Sequence, residues 1–297
     1  VVITPNIPNL SFTEKNGVKY FNLVAEVVKT EILPGIFVNA WGYNGITPGP
    51  TICVYPGDYV CLRVHNKLPQ PTSVHWHGLD IPNVMDGVPE IEPSPRIDPG
   101  RYFDYHFQIT NAPGTHMYHS HFYTVVQDML GLEGGFIILD PDESKKDIQR
   151  DYYLMLGAFK LKGLEPGVLR DGTYEIDPFA ASSNFFTING RCFPSTTLLP
   201  VNEGERVRLR FGNIGMMNHP IHFHGHQFYE TAADGNAIPI SNQLKKNTIL
   251  ISSGTTRDIE FIANNPGRWP LHCHFPHHVS NNLTLPLGGM ATAVVYE

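Results

Sequence analysis

Residues 271–278, Leu-His-Cys-His-Phe-Pro-His-His, set one thiol among four imidazoles within a single short stretch. On an extended strand successive side chains alternate between faces, so His272 and His274 point one way and Cys273 the other. One strand can therefore serve two metal sites. His278, five residues beyond the cysteine, is spaced to curl back towards the sulfur. A thiolate combined with imidazoles is the donor set that favours copper among the available metals. A histidine-rich surface strand would need no partner motifs elsewhere, and three such partners are present.

They are His75-Trp76-His77-Gly78, His119-Ser120-His121, and His219-Pro220-Ile221-His222-Phe223-His224. Together with the opening stretch they hold eleven of the fifteen histidines. The four His-x-His pairs supply His75, His77, His119, His121, His222, His224, His272 and His274. Zinc sites are usually four-coordinate, so eight neutral imidazoles exceed what one zinc would use. They suit several copper ions sharing one cavity between two domains. A lone His-x-His is commonly an exposed strand, a reading that does not extend to four phased pairs.

The elements that must position these residues are strands. The chain has 297 residues, with 25 prolines, 27 glycines and only 16% charged residues, and it lacks Glu/Lys/Ala-rich helical runs. That composition predicts an all-β protein of two domains, which we place at residues 1–145 and 146–297. Asp140–Asp151, dense in charge, reads as a solvated linker between them. Short strands are expected at Tyr20–Val24 and Ile36–Val38, then on either side of the Pro56-Gly57 turn. The formal charge of −7 argues against nucleic acid or an anionic membrane surface as partner. No stretch approaches the ~20 apolar residues that span a bilayer. The sequence starts at Val1 without a leader, as a processed periplasmic or secreted chain would. Of the four cysteines, Cys53 and Cys61 flank the turn and could pair, and Cys192 reads as structural.

The second half repeats the first. Gly57-Asp58-Tyr59-Val60-Cys61-Leu62-Arg63 matches Gly204-Glu205-Arg206-Val207-Arg208-Leu209-Arg210 at an offset of 147, and His75-Trp76-His77-Gly78 matches His222-Phe223-His224-Gly225 at the same offset. Pro113-Gly114 and His119-Ser120-His121-Phe122 match Pro266-Gly267 and His272-Cys273-His274-Phe275 at 153. Two tandem β-sandwiches of about eight short strands each follow from this duplication. Where the copies differ is informative: His219 faces Thr72, Cys273 faces Ser120 and His278 faces Val125. The thiolate site belongs to the second half alone, while both halves contribute His-x-His pairs.

On these four ordered motifs the chain resembles the multicopper oxidases of the two-domain, laccase-like kind. The resemblance implies two tandem cupredoxin-like Greek-key β-sandwich domains and four coppers per chain. It implies a type 1 copper on His219, Cys273 and His278 that accepts single electrons from a reducing substrate. It implies a trinuclear cluster that reduces dioxygen to water, with His75 and His222 on type 2 copper. His77, His119, His121, His224, His272 and His274 fall on the type 3 positions, and Cys273 links the two sites. The family's axial ligand position falls on Leu283, whereas Gly288-Gly289-Met290 resembles the family's Gly-Met ending, so Met290 is preferred and Leu283 is the alternative. Asp86 matches an acidic residue that serves proton delivery, although Asp86-Gly87 also reads as a simple turn pair. Val279 stands where some relatives carry another acid. His65, His106, His116, His226 and His277 receive no ligand role.

The family's two-domain members close as homotrimers, which implies a head-to-tail ring with each cluster between subunits. The expected substrates are phenols or aromatic amines. A metal-ion oxidase acting on Fe(II) or Cu(I) is the nearest alternative, and only seven methionines weigh against Cu(I). A copper nitrite reductase would carry its cysteine in the first half, where Ser120 stands, and an electron carrier would need no second set of histidines.

Overall fold

The computed structural model describes residues 1–142 and 147–297. Strands Ile36–Tyr43, Val18–Leu33, Tyr59–Asn66 and Tyr102–Gln108 form one sheet of a first sandwich. Gly49–Val54, Glu133–Ile138, Gly114–His119 and His75–His77 form the facing sheet. In the second sandwich Phe185–Ile188, Arg150–Phe159, Arg206–Asn213, Thr255–Ile262 and Phe228–Ala233 lie opposite Leu199–Val201, Ala291–Tyr296, Arg268–Cys273, His219–Phe223 and Thr248–Ile251. The expected all-β, Greek-key architecture is present.

Alternation of side chains accounts for the layers. Phe21, Leu23 and Ala25 on one strand, and Val60, Leu62 and Val64 on the next, face the first core beside Trp76, Tyr118 and Phe136. In the second sandwich Val207, Leu209 and Phe211 turn inward with Leu154, Phe223, Leu271 and Cys273. Burial of such side chains contributes roughly 1.5–3 kcal/mol each. The duplication holds at the level of strands: Tyr59–Asn66 and Arg206–Asn213 are each parallel to one neighbour and antiparallel to the other.

Three expectations are corrected. The first long strand is continuous over Val18–Leu33. Its first half packs in its own core, and Val28, Ile32 and Leu33 pack between the sandwiches against Phe159, Leu161 and Phe185. The charged stretch at 140–151 is not solvated throughout, although residues 143–146, and with them the expected boundary, lie outside the described residues. Asp151 is buried, because Arg210 Nε and Nη2 donate to its carboxylate at 2.7 and 2.8 Å. Gly172–Glu175, from beyond the boundary, pairs in parallel with Ile36–Asn39 of the first sandwich. The suggested Cys53–Cys61 pairing is absent, since all four cysteines are free. Cys61 sits between core residues Val60 and Leu62 and so projects from the opposite face of its strand.

Candidate metal centre

Strand pairing delivers the histidines in the same way in both halves. His75 lies directly opposite His119, and His222 directly opposite His272, across antiparallel pairs. Opposed residues share a face with Cβ atoms about 4.5–5.5 Å apart, so two strands present two imidazoles to one point. His121 and His274 extend the same face two residues on.

Hydrogen bonds fix the tautomers. His75 Nδ1 donates to the Asp86 carbonyl at 2.9 Å, His119 Nδ1 to the Ser120 carbonyl at 2.7 Å, and His272 Nδ1 to the Cys273 carbonyl at 2.8 Å. His222 Nδ1 donates to the Asn247 carbonyl at 2.8 Å. Each of these rings is left with a bare Nε2 for a metal. His77 is turned the other way, with Nδ1 3.3 Å from His119 Nε2, and in the second half His224 Nε2 lies 2.9 Å from His272 Nε2. Burial pushes His77 and His119 down to about 4. It also lowers His75, His224 and His272. Neutral rings are the form that binds a metal.

The second cluster is fully enclosed. Cys273 Sγ is 3.4 Å from His278 Nδ1 and 3.9 Å from His219 Nδ1, and the two Nδ1 atoms are 3.1 Å apart. Phe186 stacks on the His278 ring at 4.0 Å, while His219 Nε2 has no hydrogen-bond partner. Burial raises the Cys273 thiol to about 11, against the opposing pull of the Phe275 and His274 backbone N–H groups, and lowers His219 to about 3 and His278 to about 4. Three buried donor atoms face one another with no other task, so the residues fit a soft-to-borderline metal. Met290 is fully buried in the core cluster that includes Cys273. Its backbone N–H donates to the His278 carbonyl at 2.8 Å and its carbonyl accepts from Cys273 N–H at 3.0 Å. Leu283 instead is 50% exposed on a loop, with a left-handed φ of 63°.

The Asp86 carboxylate lies 3.4 Å from His75 Nδ1. Sequence reasoning missed Asp128, whose carboxylate is 3.2 Å from His119 Nδ1 and is pushed up to about 8 by burial. It gave neither His116 nor His226 a ligand role. His116 bonds the His77 backbone, and His226 Nδ1 donates to the His224 carbonyl at 3.2 Å. The two touch the backbones of matching histidines from positions that do not correspond in the repeat, so the motif spacing did not reveal them. His65, His106 and His277 join neither cluster.

Residues 26–143 and 171–288 each match a multicopper oxidase family profile. The chain belongs to the multicopper oxidase family. A blue copper oxidase from Nitrosomonas europaea superposes with a TM-score of 0.81 at 30% identity, covering 93% of this chain and 85% of that one. Both sandwiches are accordingly cupredoxin-like. A multicopper oxidase from Staphylococcus aureus is 31% identical over 211 residues, covering 67% of this chain and 43% of that protein. A probable nitrite reductase-hydroxylamine oxidoreductase fusion protein from Kuenenia stuttgartiensis is 27% identical over 289 residues, covering 91% of this chain and 31% of that protein. The chain thus spans less than half the length of these two curated relatives. Copper is the metal that this multicopper oxidase's donor sets would hold.

Each histidine quartet makes its ring contacts internally: His75 with His77, His119 and His121, and His222 with His224, His272 and His274. Among the described residues no donor cluster draws on both quartets. No helix among them is long and apolar enough to cross a membrane.

Proposed function

We propose that this multicopper oxidase is laccase-like, taking electrons singly from phenolic or aromatic-amine donors and reducing dioxygen to water. The observation that carries the reading is the enclosed His219/Cys273/His278 set, whose cysteine shares a strand with His272 of the open quartet. His219, Cys273 and His278, with Met290 as the weak fourth donor, would hold the type 1 copper. His75 and His222 would hold type 2 copper, and the remaining six paired histidines the type 3 pair. Bound there, copper would supply one-electron acceptance at the thiolate site and dioxygen reduction at the histidine sites.

The chain's own residues do the rest. The carbonyl of Cys273 orders the His272 ring, so the thiolate site and the quartet are mechanically one unit. A surface pocket of about 490 Å³ lies beside this unit, lined by Pro276, His277, Val279, Leu283, Leu285 and Leu287. It offers no carboxylate or thioether to a metal ion, which favours a neutral aromatic donor over Fe(II) or Cu(I). The Asp86 carboxylate, beside His75, is placed to hand protons towards the quartet. Since no donor cluster among the described residues draws on both quartets, the reading has the trinuclear site assembled from two copies in a closed ring, a homotrimer.

Copper reconstitution followed by oxygen uptake tests the reading. A strong blue band with phenol-dependent oxygen consumption supports it, and zinc occupancy or no uptake defeats it. Two variants refine it. Asp86→Asn removes an acid–base group without removing a ligand, so kcat for oxygen uptake is expected to fall by about 10²-fold or more with copper content unchanged. Met290→Leu removes the thioether that would be the weak fourth donor to the bound copper, so spectroelectrochemical titration of the blue band is expected to give a higher potential. An unchanged potential would remove Met290 from the ligand set.

A further inference from the structure

The first sandwich retains the outline of the thiolate site without its donors. Thr72 and Ser120 stand at the positions of His219 and Cys273, and both are fully buried. The residue opposite His278 in the repeat, Val125, is 48% exposed and takes no part. Gln127 occupies the place instead. Its Oε1 accepts from Ser120 Oγ at 2.6 Å and from Thr72 Oγ1 at 2.8 Å, and its Nε2 donates to the Pro71 carbonyl at 2.8 Å. The contacts reproduce those of His278, which meets both His219 and Cys273. The repeat has slipped by two residues here, and a neutral amide bridges what a metal would bridge in the second half.

The bridge leads directly to a ligand. In the second half Cys273 would be pinned through its sulfur, and its carbonyl holds His272 Nδ1 at 2.8 Å. In the first half Ser120 is pinned through its hydroxyl by Gln127, and its carbonyl holds His119 Nδ1 at 2.7 Å. Ser120 also lies between His119 and His121, so movement of its peptide would turn both.

We propose that Gln127 is a positioning residue for the first quartet, an organic substitute for the missing type 1 copper that fixes Ser120 and through it His119 and His121. The proposal rests on the reading of the quartets as copper sites. Gln127→Ala leaves the Thr72 and Ser120 hydroxyls buried without their shared acceptor. Outer-shell partners of metal ligands typically account for about 10–100-fold in affinity.

The full chain, loaded with copper, would be challenged with increasing chelator while copper per chain, the blue band and the melting temperature are followed. In Gln127→Ala the histidine-bound copper should leave at roughly 10–100-fold lower chelator activity than in the parent, with the blue band retained. A lowered melting temperature with an unchanged chelator midpoint would mean that Gln127 only supports the fold, and would overturn the proposal. If Gln127→Ala does not fold, Thr72→Val/Ser120→Ala/Gln127→Met fills the same space without directional bonds. That variant is expected to fold and still release its histidine-bound copper early, and a parental midpoint overturns the proposal. Absence of histidine-bound copper in the parent itself would instead refute the underlying assignment of the quartets.

Discussion

Cys273→Ser is expected to abolish the blue absorption and all oxidation of phenolic donors, while the histidine quartets keep their copper. The serine hydroxyl is a hard donor that does not ionise near neutral pH, so it cannot replace the thiolate that selects and tunes this site. The protein contains its own comparison. Ser120, at the matching place in the first sandwich, donates to an amide oxygen and sits in a purely hydrogen-bonded network. Volume is nearly conserved, and Cys273 belongs to a core that also includes Leu271, Ile221 and Met290. The variant should therefore fold. The His272 ring would still be held by the carbonyl at position 273, because that bond involves the backbone and not the side chain. Absorption spectra, EPR, metal analysis and an oxygen electrode read the outcome together. Retained donor oxidation would mean that electrons enter elsewhere.

Why these candidate donors could be read from sequence is a matter of period. Strand alternation fixes which face a side chain takes, so the sequence itself separates His272 and His274 from Cys273. The repeat then located the partners, since a duplicated strand carries its register with it. Features outside the repeat were not legible. Gln127 and Asp128 lie on and just after the short helix Thr124–Gln127, whose pitch differs from a strand's. Alignment at a constant offset therefore matched His278 to Val125 and passed over Gln127, two residues on. The long strand Val18–Leu33 misled for a related reason: its apolar pattern serves two cores in turn, and a single period describes only one of them. Asp151 looked like linker charge because its partners, Arg208 and Arg210, are nearly sixty residues away. Such buried pairs are settled by topology, not by local composition.

The largest effect on assembly is expected from mixing two inactive chains. One carries His119→Ala/His121→Ala and lacks a working first quartet, and the other carries His222→Ala/His224→Ala and lacks a working second one. In a head-to-tail ring each junction joins the first half of one subunit to the second half of the next. A junction is then intact only when the second variant supplies the first half and the first variant supplies the second half. Random exchange in equal amounts makes about one junction in four intact, so about a quarter of the parental activity should return. If each chain built its trinuclear site alone, every chain would remain broken and nothing would return. The surfaces beside the quartets favour the first outcome. Tyr123 and Val125 follow His121 and are 49% and 48% exposed, while Phe275, next to the exposed His274, is 46% exposed. Apolar surface grouped at both halves of a divided site is what a closing interface would cover. Oxygen uptake measured before and after subunit exchange, with light scattering for the mass, decides between the two. Recovery of activity at monomer mass would refute the ring, because complementation would then have arisen without a lasting interface.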